Sequence, residues 1–136
     1  MPASPQTEGL SGSRRILVVD DNADAAESLA MLLSLDGHLT ETASDGKSAL
    51  EAARSFAPEL IFLDIGLPGM NGYEVARLLR DQGGLADARF IALSGHGSAD
   101  DKLRSRQAGF VCHILKPLDP GELGAIVARA LGPLPA

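Results

Sequence analysis

The sequence predicts an α/β fold, a five-stranded parallel sheet flanked by five helices. Three observations predict it. Short continuous apolar runs recur at RILVV, LIFL, FIAL and FVCHIL. Each is too short for a typical helix and lacks polar alternation, as expected of parallel strands covered on both faces. Amphipathic helical patterns alternate strictly with these runs, which implies helices on both sides of the sheet.

The elements follow in order. RILVV is the first strand. In NADAAESLAMLLSLDG, Ala25, Leu29, Leu32 and Leu33 share a helical face, Asp21 or Asn22 can cap the start, and Gly37 can stop the helix. HLTET is a weaker second strand whose polarity suits a sheet edge. Ala49, Ala52, Ala53 and Phe56 form the next stripe, which Pro58 ends. LIFL is the third strand, followed by Asp64 and a loop marked by Pro68, Gly69 and Gly72. Asn71 can cap a third helix with Val75, Leu78 and Leu79 inward. After FIAL, the fourth helix has a thin stripe of Ala99 and Leu103. After FVCHIL, Asp119, Pro120 and Glu122 read as N-cap, first and third positions of a last helix facing inward through Leu123, Ile126, Val127 and Ala130. Right-handed crossovers leave few topologies, and the commonest for five units is strand order 2-1-3-4-5.

The chain has 136 residues, 45% hydrophobic and 22% charged, with a net charge of -6. That is one ordinary globular domain, expected to span residues 14–132 between a disordered tail at 1–13 and a short tail at 133–136. The acidic balance argues against binding nucleic acid. Arg77 and Arg80, and Lys102, Arg104 and Arg106, read as solvated helix faces. The lone Cys112 excludes a disulfide within the chain and reads as a core thiol. No apolar run approaches the roughly 18 residues of a membrane span. The N-terminus lacks the apolar core of a signal peptide. A cytoplasmic location is the expectation.

The chemistry gathers past the strand ends. Strand one leads to Asp20 and Asp21, strand three to Asp64, strand four to Ser94 and strand five to Lys116. In the expected order strands one and three are neighbours, about 4.8 Å apart. Three carboxylates form a hard oxygen site that suits Mg²⁺. Zinc fits poorly, because His38, His96 and His113 show no ligand spacing. A cation, a lysine, a hydroxyl and a carboxylate nucleophile are the parts needed to form an aspartyl phosphate. Each residue alone has a plainer reading as a cap, a turn residue or a surface lysine. Their meeting at four strand ends favours a site, since the functional residues of open α/β sheets collect there. Two rivals are a haloacid dehalogenase-like phosphatase and a flavodoxin-like FMN binder. The first wants an Asp-x-Asp pattern after strand one, and the second a phosphate-cradling loop that three acids would repel.

The pieces ILVVDDN, LIFLDIGLPGMNGYE, FIALSG and ILKP, in this order, resemble the receiver domains of two-component response regulators over about residues 14 to 132. The resemblance implies the flavodoxin-like receiver fold and a phospho-accepting role without enzymatic action on other substrates. It implies Asp64 as phospho-acceptor. It gives Asp21, Asp64 and the Gly66 carbonyl as Mg²⁺ ligands, with Asp20 acting through water. Lys116 would bind the phosphoryl group, Ser94 would turn toward it, and the Lys116–Pro117 bond would be cis. The family usually pairs the switch hydroxyl with an aromatic residue three positions before the lysine; here His113 stands there. Gly66 and His96 occupy the positions where the family tunes phosphate lifetime. The implied partners are a histidine kinase or histidine phosphotransfer protein and a downstream protein, with no membrane contact. No output module is visible after the last helix, so a standalone regulator, a relay protein and the receiver of a hybrid kinase all remain open.

Overall fold

The computed structural model describes residues 14–66, 69, 71–85, 87–95 and 99–132, with backbone alone at 99–102. The expected tails at 1–13 and 133–136 and the expected lifetime residue His96 lie outside the described residues.

Five strands satisfy one another's backbone groups: β1 (Arg15–Val19), β2 (Leu39–Ala43), β3 (Leu60–Asp64), β4 (Arg89–Ser94) and β5 (Cys112–Leu115). Their order is β2-β1-β3-β4-β5, and every pairing is parallel. This is the expected fold class and order.

Successive strand side chains point to opposite faces. Leu17, Val19, Ile61, Leu63, Phe90 and Ala92 meet α2 (Gly46–Phe56) and α3 (Gly72–Asp81) on one side. Ile16, Val18, Leu60, Phe62, Ile91 and Leu93 meet α1 (Ala23–Leu35) and α5 (Leu123–Leu131) on the other. Because both faces are buried, the strands read as unbroken apolar runs. Burying one such side chain contributes about 1.5–3 kcal/mol. The two edge strands are the exceptions: in β2 Leu39 and Glu41 are exposed and Ala43 alone is buried, and β5 has no buried residue and ends on exposed Leu115, so FVCHIL is not covered on both faces as expected.

Helix starts are set by short polar side chains. Asn22 caps α1 by accepting the Ala25 N–H at 3.1 Å, which settles the choice between Asn22 and Asp21. Asp45 and Asn71 form reciprocal capping boxes with Ser48 and Glu74. Gly37 follows α1 with a φ of 94°, a left-handed position that favours glycine.

Several sequence expectations are corrected. The buried stripe of α1 is Ala26, Leu29, Ala30 and Leu33, leaving Ala25 and Leu32 half-buried. On α3, Ala76 joins Val75 and Leu79 in the core while Leu78 is half-buried. α4 (Ala99–Gln107) does not dock through Leu103, which is 51% exposed; it buries Ser105 instead. β5 begins only at Cys112, after Phe110 has entered the core. Cys112 is half-buried beside Arg129 rather than fully in the core. Asp119 accepts the Gly121 N–H at 2.9 Å ahead of a 3-10 turn, Pro120–Glu122, so no capping box forms there. Two of the arginines read as solvated are structural. Arg80 stacks 4.6 Å from the Phe90 ring and donates to the Ala108 carbonyl at 2.7 Å. Arg104 stacks 4.6 Å from the Tyr73 ring, tying α4 to α3.

The return from β3 into α3 is held by a close backbone approach. A Cβ on Gly72 would lie 2.4 Å from Ile65 Cα, an overlap that only backbone movement relieves. A Cβ on Gly124 meets nothing within 4 Å. Gly72→Ala is therefore expected to lower the urea midpoint, by a loss of about 1–3 kcal/mol typical of overpacking. Gly124→Ala is expected to leave it unchanged or raise it. Equal midpoints for the two variants would contradict this packing.

Candidate functional site

The C-terminal ends of β1, β3, β4 and β5 bring the polar residues together. Asp20 directly follows β1, and its N–H donates to the Ala43 carbonyl at 3.0 Å, so its backbone still belongs to the sheet. Asp64 is the last residue of β3 and pairs in register with Leu93. Ser94 ends β4 and pairs with Leu115. The Lys116 N–H donates to the Ser94 carbonyl at 2.8 Å, which fixes Lys116 one step past β5. The Lys116–Pro117 bond is cis, as the resemblance implied.

The side chains then sort by environment. Asp20 is 3% exposed, and both of its oxygens are engaged. Oδ1 accepts the Asn22 N–H at 3.0 Å, and Oδ2 accepts from Lys116 Nζ at 2.7 Å. Asp64 accepts the Gly66 N–H at 2.8 Å through Oδ1 and Lys116 Nζ at 3.0 Å through Oδ2. Asp21 is exposed, and among the described residues no hydrogen bond reaches its carboxylate. Burial alone would lower the Lys116 ammonium. The hydrogen bonds to Asp20 and then Asp64 outweigh it, so its pKa lies above the ordinary lysine value. Lys116 therefore stays charged throughout the neutral range.

One ligand oxygen from each of Asp20, Asp21 and Asp64 lies within 4.8 Å of the others. The donors are all oxygen and the spacing is compact, which fits a hard divalent cation. With Lys116 counted, the cluster keeps two formal negative charges, matching a 2+ ion. Such an acidic cluster is typical of the Mg²⁺ site of receiver domains. A Cβ at Gly66 would sit 3.4 Å from Asp64 Oδ1, so glycine leaves that flank of the carboxylate open.

Ser94 and His113 also meet: Ser94 Oγ lies 2.7 Å from His113 Nε2. The far ring nitrogen, Nδ1, is 2.9 Å from Ser105 Oγ in α4. Sequence reasoning did not single out Ser105. Nothing in the sequence separates it from the exposed polar residues around it, and its burial shows only in the structure.

A profile of the response regulator receiver domain matches residues 16–128. The chain is 40% identical over 118 residues to the DNA-binding response regulator MtrA of Mycobacterium tuberculosis, covering 87% of this chain and 50% of that protein. It is 32% identical over 122 residues to the probable transcriptional regulator ycf27 of Guillardia theta, covering 90% and 47%. It thus spans about half the length of the curated relatives it matches. Among solved structures, chemotaxis protein CheY4 of Vibrio cholerae superposes with a TM-score of 0.82 at 27% identity, covering 88% of this chain and 100% of that one. The BeF3-activated DrrB receiver domain superposes at 0.76 and 27%, covering 88% and 97%. No helix among the described residues is long and apolar enough to cross a membrane. Matched along its sheet, its acidic cluster and most of its length, the chain belongs to the response regulator receiver domain family of two-component signalling.

Proposed function

We propose that Asp64 accepts a phosphoryl group from a phosphohistidine, presented by a histidine kinase or a histidine phosphotransfer protein. The observation that carries this reading is the Asp64 carboxylate, held 3.0 Å from the Lys116 ammonium at the centre of the acidic cluster. Asp64 suits the task better than Asp20. Both carboxylates have each oxygen engaged, but the Asp64 side chain is 12% exposed against 3% for Asp20 and so is the more open to a donor.

In the transfer, an Asp64 oxygen forms a bond to phosphorus as the nitrogen–phosphorus bond of the donor breaks. The leaving imidazole nitrogen keeps the electron pair. Lys116 neutralises charge on the transferred oxygens from its place beside Asp64. Asp21, Asp64 and the Gly66 carbonyl would hold Mg²⁺, with Asp20 acting through water, and the ion would supply further neutralisation of the phosphoryl oxygens. The acyl phosphate brings about -1.5 to -2 charge to the site, toward which Ser94 can donate a hydrogen bond. Hydrolysis resets the domain. Its lifetime is set at Gly66, which has no side chain to obstruct water, and at His96.

The receiver unit of this reading is residues 14–132, in a cytoplasmic setting. A downstream protein, or a further step of phosphate relay, takes the output. The net charge of -6 supports a protein rather than a nucleic acid as this chain's direct partner.

Two measurements test the reading. Intact mass after treatment with acetyl phosphate and Mg²⁺ is expected to show one phospho-adduct on the wild type. Asp64→Ala, or wild type with chelator, is expected to show none, and an adduct persisting in Asp64→Ala would overturn the assignment. Titration calorimetry with Mg²⁺ separates the two neighbouring acids. Asp21, with its lone pairs unengaged, is the direct ligand. Asp21→Ala is expected to weaken binding by more than Asp20→Ala, whose loss as a supporting residue is expected to cost about 10–100-fold. Comparable losses would show that the roles are divided wrongly.

A further inference from the structure

Three side chains from three elements form one hydrogen-bonded chain. Ser94 ends β4, His113 lies in β5 and Ser105 lies in α4. The two contacts, 2.7 Å at Nε2 and 2.9 Å at Nδ1, use both ring nitrogens. Ser94 and Ser105 are 7% and 1% exposed, so water is a poor substitute for a lost partner.

A neutral imidazole carries one N–H and one lone pair. One serine must therefore donate to the ring and the other accept from it. A serine inside a helix commonly turns its O–H to the carbonyl four residues back, and Ser105 sits inside α4. Its oxygen can accept from Nδ1–H at the same time. That places the ring proton on Nδ1, leaves Nε2 an acceptor, and makes Ser94 the donor. Ser94 has a single hydroxyl proton. A phosphoryl group on Asp64 presents strong acceptor oxygens, and Ser94 cannot give its proton to the ring and to the phosphoryl group at once.

We propose that Ser105 is a positioning residue for phosphoryl capture: acting through His113, it holds the Ser94 proton away from Asp64 in the unmodified protein. When Ser94 turns its proton to a phosphoryl oxygen, Nε2 loses its donor. The ring gives up the Nδ1 proton to solvent and takes one at Nε2, with no net change in protonation. The Nδ1–H···Ser105 bond is lost, and Ser105 can hold the ring again only by turning its own O–H away from the helix, which weakens the tie of α4 to β5. With Leu103 turned outward, α4 has little apolar grip to compensate. This inference rests on Asp64 being the acceptor.

Nitrogen-15 spectra of the histidine rings at about pH 8, above the ordinary imidazole range, read the tautomer directly. The His113 signals are assigned by their loss in His113→Gln. The free wild type is expected to show Nδ1–H, and the protein loaded with beryllofluoride and Mg²⁺ to show Nε2–H. Ser105→Ala is expected to lose the Nδ1–H preference and to bind beryllofluoride about three- to tenfold more tightly, the weight of one net hydrogen bond. Ser105→Thr is expected to restore both properties. An unchanged wild-type tautomer on loading overturns the relay alone, and this comparison needs no Ser105 variant. Unchanged beryllofluoride affinity in Ser105→Ala overturns it as well. If Asp64→Ala binds beryllofluoride as the wild type does, the acceptor reading falls and the relay falls with it.

Discussion

The Lys116 ammonium is the constraint on which the site depends. Two carboxylates within 4.8 Å of each other repel by about 3 kcal/mol or more at an effective dielectric near 20, and three such groups meet here. Lys116 contacts two of them at 2.7 and 3.0 Å. It reaches them only because β5 pairs with β4 and the Lys116 N–H continues that pairing onto the Ser94 carbonyl. Sheet order and site electrostatics are therefore a single requirement. A slip of β5 by one residue would turn Lys116 to the other face of the sheet and leave Asp20 and Asp64 buried against each other without a cation.

The same lysine makes the two neighbouring acids unequal. Asp20 is drawn inward, capped by Lys116 on one oxygen and by the Asn22 N–H on the other. Asp21 is left outside with its lone pairs unengaged. The cluster retains two formal negative charges after Lys116 is counted. It is thus short of positive charge before any phosphoryl group arrives, and a divalent cation fits that deficit without rearranging the lysine.

Much of this was legible in the sequence, and the reason is burial on both faces. A strand covered on both sides must be apolar at every position, so RILVV, LIFL and FIAL announce themselves and their ends point to Asp20, Asp64 and Ser94. Asn71 was legible as a cap from its place ahead of the third helical pattern, but its Glu74 partner was not singled out, and the same spacing at Asp119 and Glu122 gave no capping box. Other features were not. Arg80 and Arg104 look like any exposed helix charge, and only the tertiary structure shows their planar groups over Phe90 and Tyr73. The segment ADDKLRSRQ carries one large apolar residue, and an apolar stripe of one residue does not fix a face. Leu103 drew attention by its hydrophobicity, yet the helix turned on its smaller residue, Ser105, which has a hydrogen-bond partner waiting in β5. The unequal surroundings of Asp20 and Asp21 were likewise invisible to composition, and only the family resemblance set the two apart, since they arise from which carboxylate Lys116 reaches.

His113, in contact with Ser94 through one ring nitrogen and Ser105 through the other, offers a particular kind of coupling between β4 and α4. An aromatic side chain couples by occupying space: it is in or out of a cavity, and dispersion forces grade smoothly with its position. An imidazole held at both nitrogens couples by direction and by proton count. Its ring has one N–H, Ser94 has one O–H, and neither can be shared with a third acceptor without giving up a present one. Such a device needs little apolar area, which is what α4 lacks. It also explains how a helix whose one large apolar residue faces solvent can hold a defined position beside β5. One anchor is a buried hydroxyl, and its partner is a ring whose other nitrogen already contacts Ser94 at the end of β4.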